Sequence, residues 1–207
     1  QQLAEEIREH RLSPGLAILF IGDNPASDLY IRLKEKAAHE VGIQITIQRE
    51  ARCDTDAAIR IISAWNQDPS IHGILVQLPL PAGLDTDAII QAIDPAKDVD
   101  SFHPTNIADL REGRARFFSP VHLAVLTLLS KSHLALNGAR TILLAKSRVF
   151  TEPLVHLLKK AGSFVETYQE KPSPSMLKQA DCVISALGHT DLFSGPELNA
   201  HAVIIDI

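Results

Sequence analysis

"LAILFIGDNPASDLYIRLKEKAAHEVGIQITIQ", residues 16–48, decides the fold class. It opens on an apolar run, residues 16–23, that is closed by Gly22 and Asp23. A strand buried on both faces reads this way. A helical pattern follows, and "IQITIQ" at 43–48 reads as a second strand. A strand, a helix and a strand in so short a span make a crossover unit with parallel strands. Within the helix, Tyr30 and Lys34 lie one turn apart on the same face. Leu29, Leu33, Ala37 and Val41 form the neighbouring apolar stripe, which is expected to border the core. A lysine and an aromatic ring beside such a stripe call for an explanation.

The alternation continues outward. "DTDAAIRIISAWNQ" (54–67) is an amphipathic helix with acidic residues in its first turn. "IHGILVQLPLP" (71–81) is a third strand ending in a proline-punctuated turn, and "DTDAIIQAI" (85–93) a short helix. Residues 94–119 read as a polar loop. "SPVHLAVLTLLSKS" (119–132) reads as a linking helix capped by Ser119 with Pro120 at its first position. A second alternation then runs through "ARTILLAKS", "TEPLVHLLKKAG", "SFVETY", "SPSMLKQA", "DCVISALG" and "HAVIIDI". The fold class is therefore α/β with two domains. Residues 1–115 form a parallel-sheet domain, and residues 116–207 a Rossmann-like dinucleotide-binding domain. The chain starts inside a helical pattern and stops in a strand, so segments are expected to be missing at both ends.

Bulk properties exclude several classes. The chain has 207 residues, 45% of them hydrophobic and 22% charged, as in ordinary globular proteins. A net charge of −5 gives no reason to expect nucleic acid or an anionic membrane as partner. No apolar run is long enough to span a bilayer, and no signal-peptide pattern is present. The two cysteines, Cys53 and Cys182, are far apart, which argues against a disulfide scaffold and fits a reducing, cytoplasmic compartment. The nine histidines show no metal-ligand spacing, and no metal is expected.

In open parallel sheets, ligands bind beyond the carboxyl ends of the strands. Lys34, Tyr30, Gln77, Asp98 and Asp100 all fall there in the first half. Together they offer a cation, an aromatic face, an amide and carboxylates, which suits a flat, polar heterocycle. The ring would stack on Tyr30, and Asp100 would accept its N–H groups. A lysine beside apolar surface is placed to have a lowered pKa and to move protons. Each residue also has a plainer reading. Tyr30 and Lys34 make an ordinary amphipathic pair, with the ammonium reaching water. Gln77 can satisfy a strand end, and the aspartates can bond nearby N–H groups.

Three blocks tip the balance: "GDNPASDLYIRLKEKAAHEVGI", "GILVQLPLP" and "DPAKDVDSFHPTNIADL". In this order and spacing they resemble the methylenetetrahydrofolate dehydrogenase/methenyltetrahydrofolate cyclohydrolase family over most of residues 14–110. The resemblance implies a folate-binding α/β domain and a Rossmann domain, usually in a homodimer. It implies NADP-dependent oxidation of 5,10-methylenetetrahydrofolate and hydrolysis of the methenyl product to 10-formyltetrahydrofolate. By the same resemblance Tyr30 stacks on the tetrahydrofolate substrate and Lys34 is the catalytic lysine. Gln77 orients that lysine, and Asp100 binds the pterin edge.

The second half departs from the family pattern. "FFSPVH" (117–122) keeps only Pro120, with Ser119 in place of threonine, and Ser101 and Ala108 each replace a glycine. The cofactor loop reads "AKSRVFTEP" (145–153). Lys146, Ser147 and Thr151 are its candidate cofactor-binding residues. Thr151 stands where a glycine would let backbone approach a pyrophosphate, and Glu152 places an anion in the same turn. Lys146 meets a 2′-phosphate only as a point charge. Poor NADP binding is expected on these grounds, with hydrolysis better supported than oxidation. The alternative reading is a non-catalytic relative that binds folate or a partner protein. An unrelated Rossmann dehydrogenase would not carry the three folate blocks.

Overall fold

The computed structural model of the chain describes residues 2–207. It divides into two compact units, Gln1–Asn106 and Ile107–Ile207, where the sequence suggests a boundary after residue 115.

In the first unit, helix α1 (Gln2–Glu9) precedes strand β1 (Gly15–Ile21), helix α2 (Pro25–Val41) and strand β2 (Gln44–Glu50). Helix α3 (Thr55–Gln67), strand β3 (Gly73–Val76) and helix α4 (Thr86–Gln91) follow. The three strands are all parallel, in the order β2-β1-β3. Strand β1 is central and shows the two-residue alternation of a sheet covered on both faces. Ala17, Leu19 and Ile21 pack with Ala58 and Ile62 of α3 and Ile89 of α4. Ile18 and Phe20 pack on the opposite face with Ile31 of α2. Strand β3 is shorter than the apolar run predicts. Pro79 and Pro81 lack the N–H groups that would extend a ladder.

Two local expectations need correction. Leu29 and Leu33 of α2 are 51% and 54% exposed, so their stripe does not border the core. The buried positions are Ser27, Ile31 and Ala38. Lys34 follows Ile31 by three residues and precedes Ala38 by four, so its stem runs along the buried face itself. The stretch read as a polar loop contains helix α5 (Pro104–Arg111), which spans the division between the units. Pro104 starts it, and Ile107 is its buried anchor.

The second unit holds helix α6 (Pro120–Lys131), strand β4 (Arg140–Ala145), helix α7 (Arg148–Lys160) and strand β5 (Phe164–Tyr168). Helix α8 (Pro174–Leu177), strand β6 (Cys182–Ala186) and strand β7 (Val203–Asp206) complete it. All four strands are parallel, in the order β5-β4-β6-β7. Leu143 and Ile184 pack with α6 and α7, while Ile142, Leu144 and Val183 pack with Leu177 of α8. Ser119 occupies the N-cap position of α6, but its side chain makes no capping bond. No helix among the described residues is long and apolar enough to cross a membrane.

Candidate active site

Strand order β2-β1-β3 puts a topological switch between β1 and β3, and a crevice opens there beyond the carboxyl ends. Helix α2 leaves β1 at this point and carries Lys34; β3 delivers Gln77 one residue past its end. The Lys34 Nζ donates to Gln77 Oε1 at 2.8 Å. The Gln77 Nε2 donates to the Leu78 carbonyl at 2.8 Å, and its backbone N–H to the Leu19 carbonyl at 2.9 Å. These bonds fix which end of the amide faces the lysine, because only the amide oxygen can accept from an ammonium. Burial lowers the Lys34 pKa below its ordinary 10.5, and the nearby Asp100 charge opposes the shift. Tyr30, one turn before Lys34, is 54% exposed, so its ring is open to a stacking partner.

Asp98 and Asp100 have different surroundings. Asp98 is buried, and its Oδ2 accepts from the His103 N–H at 2.8 Å and the Asn106 Nδ2 at 2.9 Å. It holds the loop together. Asp100 is pushed up to about 6 by burial, against the pull of Lys34 and with the push of Asp98. The sequence reading missed two residues that support this loop. Lys97 Nζ donates to the carbonyls of Trp65, Asn66 and Asp68 at 3.0, 2.9 and 2.9 Å, a cation at the end of α3. Asn106 Nδ2 also bonds the Pro95 carbonyl at 3.0 Å. Both lie in the third sequence block, which is where their signal stood.

Ser101 follows Asp100 with φ at +57°, a left-handed conformation that favours glycine. Its hydroxyl is buried without a hydrogen-bond partner among the described residues. Ser101→Gly removes the strain and the unpaired hydroxyl but adds chain entropy to the unfolded state, for a net gain of about 1 kcal/mol. A raised urea midpoint at unchanged slope is the expected result. A lowered midpoint would mean the serine is bonded or packed in a way that offsets both costs.

The second unit offers a nucleotide site. Its order β5-β4-β6-β7 puts the switch between β4 and β6. A cavity of about 700 Å³ at the strand ends is lined by Lys146, Thr167, Glu170, Lys171 and His189 among others. Two expectations about the adjoining loop are overturned. Helix α7 starts at Arg148, with Ser147 at the N-cap, not at Thr151. Thr151 therefore sits in the helix proper. Its N–H and its hydroxyl both donate to the Ser147 carbonyl, at 3.0 and 2.8 Å, so neither is presented to a phosphate. Glu152 is not a loose anion either. Its carboxylate is paired with Arg111 at 2.9 Å and Arg148 at 2.8 Å. Ser147 makes no side-chain capping bond, so the first turn of α7 keeps N–H groups for an anion, with Lys146 beside them. These residues fit a phosphate-bearing dinucleotide.

Among the described residues, no group of three or more His, Cys, Asp or Glu could hold a metal ion. Burial pushes the Cys182 thiol up to about 12, which makes it a poor nucleophile.

Residues 1–100 match "Tetrahydrofolate dehydrogenase/cyclohydrolase, catalytic domain", and residues 119–207 match the NAD(P)-binding domain of the same name. The chain belongs to the tetrahydrofolate dehydrogenase/cyclohydrolase family. It is 37% identical to the bifunctional protein FolD of Paramagnetospirillum magneticum over 210 aligned residues, covering 100% of this chain and 71% of the relative. The relative of the same name in Bradyrhizobium diazoefficiens gives the same identity and coverage. Among solved structures, the Campylobacter jejuni bifunctional enzyme FolD superposes with a TM-score of 0.86 at 30% identity, covering 100% of this chain and 74% of that one. The Trypanosoma brucei enzyme complexed with NADP and an inhibitor gives 0.88 at 29%, covering 98% and 72%. In this member of the family, Lys34 and Gln77 stand at hydrogen-bond distance.

Proposed function

We propose that this chain is a bifunctional folate enzyme. It oxidises 5,10-methylenetetrahydrofolate with NADP and hydrolyses the resulting 5,10-methenyltetrahydrofolate to 10-formyltetrahydrofolate. One observation carries the reading: a lysine of lowered pKa held by an oriented amide, with an open aromatic ring one turn away. NADP, when bound, supplies the hydride acceptor, and Lys146, Ser147 and the first turn of α7 hold its phosphates.

Folate stacks on Tyr30, and Asp100, a carboxylate above about pH 6, accepts N–H bonds from the pterin edge. In the hydrolytic step, water adds to the methenyl carbon and loses a proton. Lys34 as free amine takes that proton and returns it to the departing ring nitrogen as the carbon–nitrogen bond breaks, while the adduct's hydroxyl proton leaves to solvent as the formyl carbonyl forms. Burial lowers the lysine pKa, which raises the share of free amine available as base. Gln77 keeps one N–H of the amine engaged and so aims its lone pair.

The test is a methenyl hydrolysis assay without nucleotide, run beside NADP-dependent oxidation. Turnover in both is expected. Folate binding with no turnover in either would favour the non-catalytic relative. The reading extends to a homodimer in the cytoplasm. Edge strand β5 leaves one side of its ladder unpaired among the described residues, and a second copy can pair with such an edge. Sedimentation is expected to give a dimer, and a monomer at all concentrations would refute it.

A further inference from the structure

The cavity at the ends of β4 and β5 brings together three charged side chains, Lys146, Glu170 and Lys171. Strand register fixes the height of two of them. Leu144 pairs with Tyr168, and Lys146 and Glu170 each follow two residues later, so they leave neighbouring parallel strands at the same level. Lys171 is committed elsewhere: its Nζ reaches the two carboxylate oxygens of Glu197 at 2.9 and 2.8 Å. Glu197 is held in turn by the Ser194 N–H and hydroxyl at 2.8 and 2.7 Å. The side chains of Lys146 and Glu170 have no hydrogen-bond or ion-pair partner among the described residues. One uncommitted cation and one uncommitted anion thus face one cavity.

In a doubly wound sheet the phosphates lie at the helix start after the first strand. The end of the next strand reaches the adenosine ribose. An acidic residue about 20 positions beyond the phosphate turn accepts the ribose 2′-hydroxyl, whereas a cation nearby accommodates a 2′-phosphate. Glu170 stands 24 positions beyond Lys146, past the end of β5. A carboxylate there accepts O–H donors well and repels a phosphate dianion, while Lys146 does the reverse.

We infer, on the reading of this cavity as the dinucleotide site, that Glu170 sets cofactor specificity. It accepts the ribose 2′-hydroxyl of NAD and opposes the 2′-phosphate of NADP, so the pocket takes both: NADP on Lys146, NAD on Glu170. The test is calorimetric titration of the full chain with NAD and with NADP. The parent, Glu170→Gln and Lys146→Ala are compared. Glutamine keeps the size of the side chain and removes its charge. Glu170→Gln is expected to raise the ratio of NADP to NAD affinity by at least about tenfold, and Lys146→Ala to lower it. Both cofactors binding to Glu170→Gln with a ratio within about twofold of the parent would overturn the role of Glu170 and leave the pocket assignment intact. A parent that binds neither dinucleotide would overturn the pocket assignment and the inference with it.

Discussion

Lys34→Ala abolishes methenyl hydrolysis, lowering kcat by about a hundredfold to ten-thousandfold, while folate affinity changes little. The range is that of a proton-transfer group. Tyr30 stacks without help from the lysine, and an assay run well above the Asp100 pKa of about 6 keeps that carboxylate charged when the Lys34 charge is removed. Losing kcat and kcat/KM together is the signature of an interaction made only in the transition state. Lys34→Arg separates proton transfer from charge. Arginine keeps the cation and can still donate to Gln77, but it does not deprotonate in water. It is expected to be as inactive as alanine. An arginine variant with near-parent turnover would show that Lys34 acts as a fixed charge, and an alanine variant within a few-fold of the parent would remove the lysine from the mechanism.

The parts of the structure legible in the sequence are those set by local periodicity. The β1 run alternates between two cores, 17-19-21 against 18-20, and the sequence shows it as continuous apolarity. Lys34 and Gln77 were legible as neighbours because topology alone brings strand ends together. What escaped depended on facing and register. Leu29 and Leu33 have the spacing of a core stripe, yet Ile31 and Ala38 are the residues turned to the sheet. A period shows that a face exists but does not say which of two adjacent rows is buried. The start of α7 escaped for a similar reason. A helix beginning at "TEPLVHLLKKAG" would put Pro153 in its first turn, but the residue lies in the helix interior, buried with Phe150 and Leu154. Packing there outweighs the missing N–H of proline, and the shift moves Thr151 out of the anion site.

Stability below neutral pH is expected to show two opposing titrations that cancel in the parent and separate in variants. His122 on α6 is buried, its Nε2 donates to the Phe150 carbonyl at 2.8 Å, and its ring lies 5.1 Å from that of Phe150. Burial takes its pKa from 6.5 down to about 4, against the bond to Phe150. Above pH 6.5 the imidazole is neutral folded or unfolded. Between 6.5 and 4 the unfolded chain takes up a proton that the folded one refuses, so stability falls as pH falls, by about 3 kcal/mol in all. Asp100 runs the other way. Its folded pKa of about 6 lies above the ordinary 3.8, so as pH rises from 3.8 to 6 the unfolded chain loses a proton that the folded one keeps. That costs stability with rising pH, also by about 3 kcal/mol. Between pH 4 and 6 the two slopes nearly offset. Asp100→Asn removes one of them and should expose a steep acid loss, read as a falling urea midpoint from pH 6.5 to 4. His122→Gln keeps a donor for the Phe150 carbonyl and should show the reverse slope. An imidazole titrating near 6.5 by NMR in the folded parent would refute the buried, neutral histidine. The acid loss in Asp100→Asn would then have to come from another group.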